Sequence, residues 1–156
     1  MFSADRTTGI SAIGFFALVL LWIGTLLGVS FLATPAKFLA PSLTLPVALD
    51  VGRQTFAIFN KVEWLYIVVA ALLLMLGVRR AATVIGLAVV ALVVASQTFW
   101  MLPALDARVG MIIAGGMPPP SRLHTLYIVA EIAKLLALVA IAFGTARHLI
   151  QIRAAD

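Results

Sequence analysis

The chain has 156 residues, of which 63% are apolar and 11% charged, with a mean hydropathy of +1.16. A soluble domain carries roughly 45–50% apolar and about 25% charged residues, and so short a chain cannot hide the excess from water, so the composition excludes an ordinary soluble domain and calls for lipid as solvent. The lack of cysteine excludes disulfides, thiolate zinc sites, iron–sulfur clusters and cysteine nucleophiles, and the net charge of +5 sits mostly beside apolar runs, as membrane-end anchors rather than as a nucleic-acid surface.

The first predicted span covers residues 10–33 (ISAIGFFALVLLWIGTLLGVSFLA). Its apolar run is well beyond the usual 7–15 residues of a secretory core, and no small-x-small cleavage site precedes Thr34 and Pro35, so it is expected to be retained and to end at Pro35 and Lys37. Gly24 and Gly28 give it a GxxxG spacing that admits a close helix, of the same chain or of a second copy in a homo-oligomer. Span two is predicted over residues 62–78, with helix starting earlier, near Val51, behind Asp50 as N-cap, and closed by Arg79 and Arg80. Span three, residues 81–102, is expected to end at Pro103 with Trp100 in the aromatic belt. Span four, residues 121–146, is followed by Arg147, His148 and Arg153. The expected fold is all-α: one domain over residues 1–156, a four-helix transmembrane bundle whose principal partner is the lipid bilayer.

The connections are unequal. Loops one (about 34–50) and three (about 103–120) are long and rich in Pro and Gly, and Gly115-Gly116 followed by Pro118-Pro119-Pro120 predicts a stiff extended entry to span four. Loop two is little more than Arg79-Arg80. Both long loops therefore share one face, and the termini and loop two share the other. Arg6, Arg79, Arg80, Arg147 and Arg153 on one face balance Lys37, Arg53, Lys61, Arg108 and Arg122 on the other. Because Arg79, Arg80 and Arg147 stand directly at span ends, both termini are expected inside, in the cell (inner) membrane.

An ionisable side chain at membrane depth costs roughly 2.5–3.5 kcal/mol on insertion scales, so each one needs a reason. The few candidates are Asn60 and Glu63 in span two, Gln97 in span three, and His124, Tyr127, Glu131 and Lys134 in span four. All fall in the half nearer the long loops, with Glu131 about 15 Å in from Ser121. On helical wheels Arg53, Asn60 and Glu63 lie within about 80°, and His124 and Glu131 within about 20° with Tyr127 and Lys134 beside them. Gln97, Met101 and Arg108 share a stripe if helix passes Pro103. The economical reading is a polar pocket under loops one and three, lined by Arg53, Asn60, Glu63, Gln97, Trp100, His124, Tyr127, Glu131 and Lys134. Two readings of its centre stay open. Either Glu131 and Lys134 neutralise each other with Tyr127 hydrogen-bonding the carboxylate, or Glu131 or Glu63 binds a cation or proton or orients a ligand.

Glu63 and His124 are the weak metal candidates. His124 and Glu131 stand about 10.5 Å apart along the axis, which makes one shared ion difficult, and Met101, Met111 and Met117 with His124 form the only soft-ion set. One haem cannot take both His124 and His148, about 36 Å apart along one helix. Ser30, Ser96 and Ser121 read as packing or capping residues rather than nucleophiles. These residues do not identify a cofactor.

The runs GVSFLATPAKFLAPSLTLPVALDVGRQTFAIFN, FWMLPALDARVGM and SRLHTLYIVAEIAKLLAL together resemble the four-helix membrane family typified by transmembrane protein 205, over most of the chain. The resemblance carries Gln54, Trp100, Pro103 and His124 over as family positions and implies topology rather than an activity. A second similarity, to small four-helix membrane oxidoreductases of the anthrone-oxygenase-like kind, rests on span count and a histidine at a span end. Three functions follow as expectations: a non-enzymatic membrane protein whose polar pocket binds or passes a small ligand, proton or ion; an oxidoreductase for a lipid-soluble substrate with His124 as acid/base beside Glu63 or Glu131; and a structural or assembly protein whose polar contacts are interhelical glue.

Overall fold

The computed structural model describes residues 2–77 and 80–155, without the side chains of residues 2–8, 152, 153 and 155. Val78 and Arg79, and the side chains of Arg6 and Arg153 used in the charge count, lie outside the described residues.

Four long helices account for nearly all of it, and no strand occurs among the described residues. Helix α1 starts as Phe2–Leu26, widens into a π-turn over Leu27–Ala33, and finishes in a turn at Thr34–Ala36 and a 3-10 turn at Lys37–Leu39. Helix α2 is Leu45–Leu76. Helix α3 runs Ala81–Ser96, passes a second π-turn at Gln97–Met101 and continues over Leu102–Ile113. Helix α4 is Leu123–Ala155. Each has a stretch long and apolar enough to cross a membrane, 29 to 33 residues by extent.

Each helix packs on its neighbours in sequence, and α1 closes the ring against α4. In α1 the buried residues Ala12, Phe15, Val19, Trp22 and Leu26 recur at alternating steps of three and four, the seam of a left-handed bundle. Gly86 brings α3 close to α4, since a Cβ there would lie 2.8 Å from Ile141 Cγ1. The outside is the reverse of a soluble protein's. Leu20, Leu21, Leu65, Leu72, Ile85, Leu92, Leu136 and Phe143 are exposed, whereas Glu63, Glu131 and Lys134 are buried. Such an apolar perimeter around buried charge is the architecture of an integral membrane protein.

The helices overrun the predicted spans on the long-loop side. Neither Pro35 nor Pro103 ends its helix. In each case the residue just before the proline closes a wide turn, Thr34 N–H donating to Val29 O and Leu102 N–H to Gln97 O, five residues back. A π-turn there moves aside the carbonyl that the pyrrolidine ring would strike, so the helix passes the proline. Helix α2 likewise begins at Leu45 rather than near Val51, with Pro46 in its first turn and Thr44, not Asp50, at the cap. Helix α3 stops at Gly115, whose φ of +81° disfavours a side chain. Gly115 N–H donates to Ile112 O at 3.0 Å and Gly116 N–H to Met111 O at 2.9 Å, a Schellman close. Ser121 starts α4, its Oγ accepting from Leu123 N–H at 3.1 Å. Loop one folds back so that the Lys37 ammonium lies against Gly52, where a Cβ would collide with it.

Candidate functional site

Glu63, Gln97 and Lys134 are 0% exposed and Glu131 is 2% exposed, so the four polar groups deepest in the spans are enclosed by the bundle. They enclose one another. Lys134 Nζ lies 2.6 Å from Glu63 Oε1, 2.8 Å from Glu131 Oε1 and 2.9 Å from Gln97 Oε1, which occupies all three ammonium protons. Gln97 Nε2 donates to Glu131 Oε1 at 2.6 Å, and Ser30 Oγ donates to Glu131 Oε2 at 2.7 Å. Trp22 Nε1 donates to Glu63 Oε1 at 3.1 Å. The cluster therefore ties together all four helices: Trp22 and Ser30 from α1, Glu63 from α2, Gln97 from α3, Glu131 and Lys134 from α4. Below the ammonium lies the Phe59 ring, 5.6 Å from Nζ to its centre, which adds a cation–π contact in a dry setting.

The two π-turns supply Ser30 and Gln97. Thr98, also in the second π-turn, anchors a neighbouring network: its Oγ1 accepts from Trp64 Nε1 at 2.9 Å and meets Asn60 Oδ1 at 2.9 Å. On the α1–α2 side, the rings of Trp22 and Tyr66 pack tilted, 5.4 Å between centres, and Tyr66 OH is 3.1 Å from Thr25 Oγ1. Nothing in the sequence marks Trp22, Ser30 and Thr98 as site residues. Their types and spacing resemble ordinary helix packing, and the only signal was the seam that places Trp22 inside.

The expected pocket is thus filled by its own side chains rather than open beneath the loops, and several lining residues stand elsewhere. Arg53 is about one-third exposed and forms a clamp at the loop end, 2.6 Å from Asp50 and 3.3 Å from Asp106, joining α2 to the extension of α3. Trp100 is 56% exposed on the perimeter, as a belt residue is, and does not face the cluster. His124 is exposed in the first turn of α4 and partners neither Glu63 nor Glu131; it shares Glu131's azimuth but not its depth. Neither the acid/base couple nor the weak metal pair of His124 with Glu63 is assembled. No three His, Asp or Glu side chains converge as a metal site among the described residues. The soft-ion set is dispersed, because Met101 is buried while Met111 and Met117 are exposed. Gln54, the family position in α2, is exposed.

Three polar atoms are buried without a hydrogen-bond partner among the described residues: Asn60 Nδ2, Glu63 Oε2 and Tyr127 OH. Tyr127 OH stands beside the Glu131 carboxylate, as expected, in a contact looser than the short bonds of the cluster, and it feels the charges of both Glu131 and Glu63. Its ring packs edge-on against Phe56 at 5.2 Å. Two surface depressions lie toward the other end of the bundle, an apolar groove between α2 and α3 lined by Ile67, Ala71, Leu74, Leu87 and Ala91, and a basic one lined by Arg80, Thr83, Arg147 and Gln151. Comparison of the chain with protein-family models, with curated proteins and with solved structures finds no match.

Proposed function

We propose that this membrane protein binds a small cationic species, a proton or a monovalent metal ion, at the Glu63–Glu131–Lys134 cluster. The observation that carries the reading is charge balance: two carboxylates face one ammonium, all within 2% of complete burial. One uncompensated negative charge in such a setting is expensive, so one further positive charge belongs with the folded bundle.

A species that binds the native bundle and not the separated helices stabilises it by mass action. The melting temperature of the purified protein should therefore rise with the concentration of the species bound, when pH and Na⁺, K⁺ and Li⁺ are varied in turn. Glu63→Gln should abolish that response. A wild type that responds to none of them would remove the reading and favour a second one, interhelical cement, for which the closed hydrogen bonding of Lys134 speaks. Proteoliposome uptake of the species identified then distinguishes binding from passage.

Three further parts of the reading stand on separate observations. Kinship with the transmembrane protein 205-like family rests on the motif residues alone. Residence in the cell (inner) membrane with both termini inside rests on Arg80 and Arg147 at the helix ends, and a cytoplasm-dependent reporter at the C-terminus checks it. A homo-oligomer through Gly24 and Gly28 is supported by their position, because among the described residues no atom outside the helix's own neighbouring backbone lies within 4 Å of a Cβ built at either glycine. Among the described residues no other helix reaches this GxxxG at that distance. Replacing both by leucine should lower the mass of the detergent-solubilised particle to that of a single chain, as read by light scattering; an unchanged mass would argue against that interface.

A further inference from the structure

Resting on that reading, we infer that the bound species is a proton, that it resides on Glu63 Oε2, and that it exchanges toward the long-loop face by way of Tyr127. Hydrogen bonding decides between the carboxylates. Both Glu131 oxygens already accept, Oε1 from Lys134 and Gln97 and Oε2 from Ser30, so a proton there would displace a donor. Glu63 Oε1 accepts from Trp22 and lies against Lys134. Glu63 Oε2 accepts from none of the described residues, and an O–H there turns an unmatched acceptor into a donor without breaking any bond. The groups facing Glu63 are Trp22 from α1, Gln97 across Lys134 from α3, and Lys134, Glu131 and Tyr127 from α4. One ammonium, two carboxyls and one proton sum to zero.

An alkali ion fits less well. It needs about six oxygen ligands, whereas the unmatched atoms offer the Glu63 oxygen, the Tyr127 hydroxyl and the amide nitrogen of Asn60, which is a donor.

The direction of exchange follows from where the unmatched groups stand. Asn60 and Tyr127 each lie about one helical turn from the cluster, both toward loops one and three. On the opposite side the next layers are apolar, with Ala70, Leu74, Val90, Leu138 and Ile141, and the nearest buried hydroxyls, of Ser11, Thr83 and Thr145, lie beyond them near the far end. Lys61 is exposed on the outer surface beside Asn60. A lysine facing lipid extends its ammonium to the headgroups, which puts the water boundary on the same side as Tyr127.

Infrared spectroscopy of the protein reconstituted in lipid at neutral pH tests the assignment. The wild type should show the C=O stretch of a protonated carboxyl, shifted on transfer to deuterium oxide. Glu131→Gln should retain the band and Glu63→Gln should lose it. Tyr127→Phe, which leaves the short bonds among Trp22, Ser30, Glu63, Gln97, Glu131 and Lys134 in place, should shift the band and slow its deuterium exchange by about tenfold or more. A wild type without the band, or a band that survives Glu63→Gln, would overturn the assignment; unchanged exchange in Tyr127→Phe would overturn the route. A bundle stabilised by Na⁺ but lacking the band would retain the cation-binding function and refute the proton.

Discussion

Lys134→Met should be the most destabilising single substitution in the bundle. It removes the one cation held by Glu63, Glu131 and Gln97 while keeping side-chain length and apolar bulk. Ordinary hydrogen bonds between membrane helices average only about 0.6 kcal/mol, because separated helices find other partners in the bilayer. Lys134 differs in kind. Its loss leaves two carboxyl groups confronting each other without a counter-ion, and breaking a buried pair costs about 3–5 kcal/mol. Unfolding by denaturing detergent should show a loss of that size. The double variant Lys134→Met/Glu131→Gln should recover more than half of it, because the remaining Glu63 carboxyl is neutral with the proton assigned to it. A single variant as stable as wild type would mean that the cluster contributes nothing to holding the helices together.

The second large effect is expected at Trp22. Its side chain is fully buried, packs against Tyr66 and donates to Glu63. Trp22→Ala opens a void at the centre of the α1–α2 contact, and large-to-small aromatic substitutions in cores lose about 3–5 kcal/mol. In lipid the low end is expected, since the side chain leaves protein for hydrocarbon rather than for water. Trp22→Phe retains most of the bulk and removes the donor, for a loss of about 1 kcal/mol. The same unfolding measurement separates the two. If the phenylalanine variant is as unstable as the alanine one, the hydrogen bond to Glu63 and not the packing dominates.

The sequence announced the span count, the all-α class and the convergence of Glu63, Gln97, Glu131 and Lys134, because apolar runs long enough to cross a bilayer and the rarity of charge within them are both strong signals. It misjudged helix ends for a definable reason. Pro35 and Pro103 read as terminators, yet a wide turn just before each lets the helix continue, and nothing in local propensity marks such a turn. A wheel also fixes azimuth without depth. His124 and Arg53 share faces with Glu131 and Glu63 but lie toward the helix ends, where His124 is exposed and Arg53 pairs with Asp50 and Asp106. Trp22, Ser30 and Thr98 carry no charge, so their bonds to the buried groups emerged only from the assembled helices.

The order in which the chain is synthesised gives the four-helix tie a biogenic meaning. Trp22 and Glu63 belong to the leading hairpin, whereas Lys134 arrives with the trailing helix, 71 positions after the carboxyl it contacts. Until then the nascent hairpin holds Glu63 with an indole alone, and the carboxyl is cheapest to shelter as the uncharged acid. The trailing helix enters lipid self-compensated, with Glu131 and Lys134 a single turn apart. Its docking is the event that turns two separately inserted hairpins into one locked assembly.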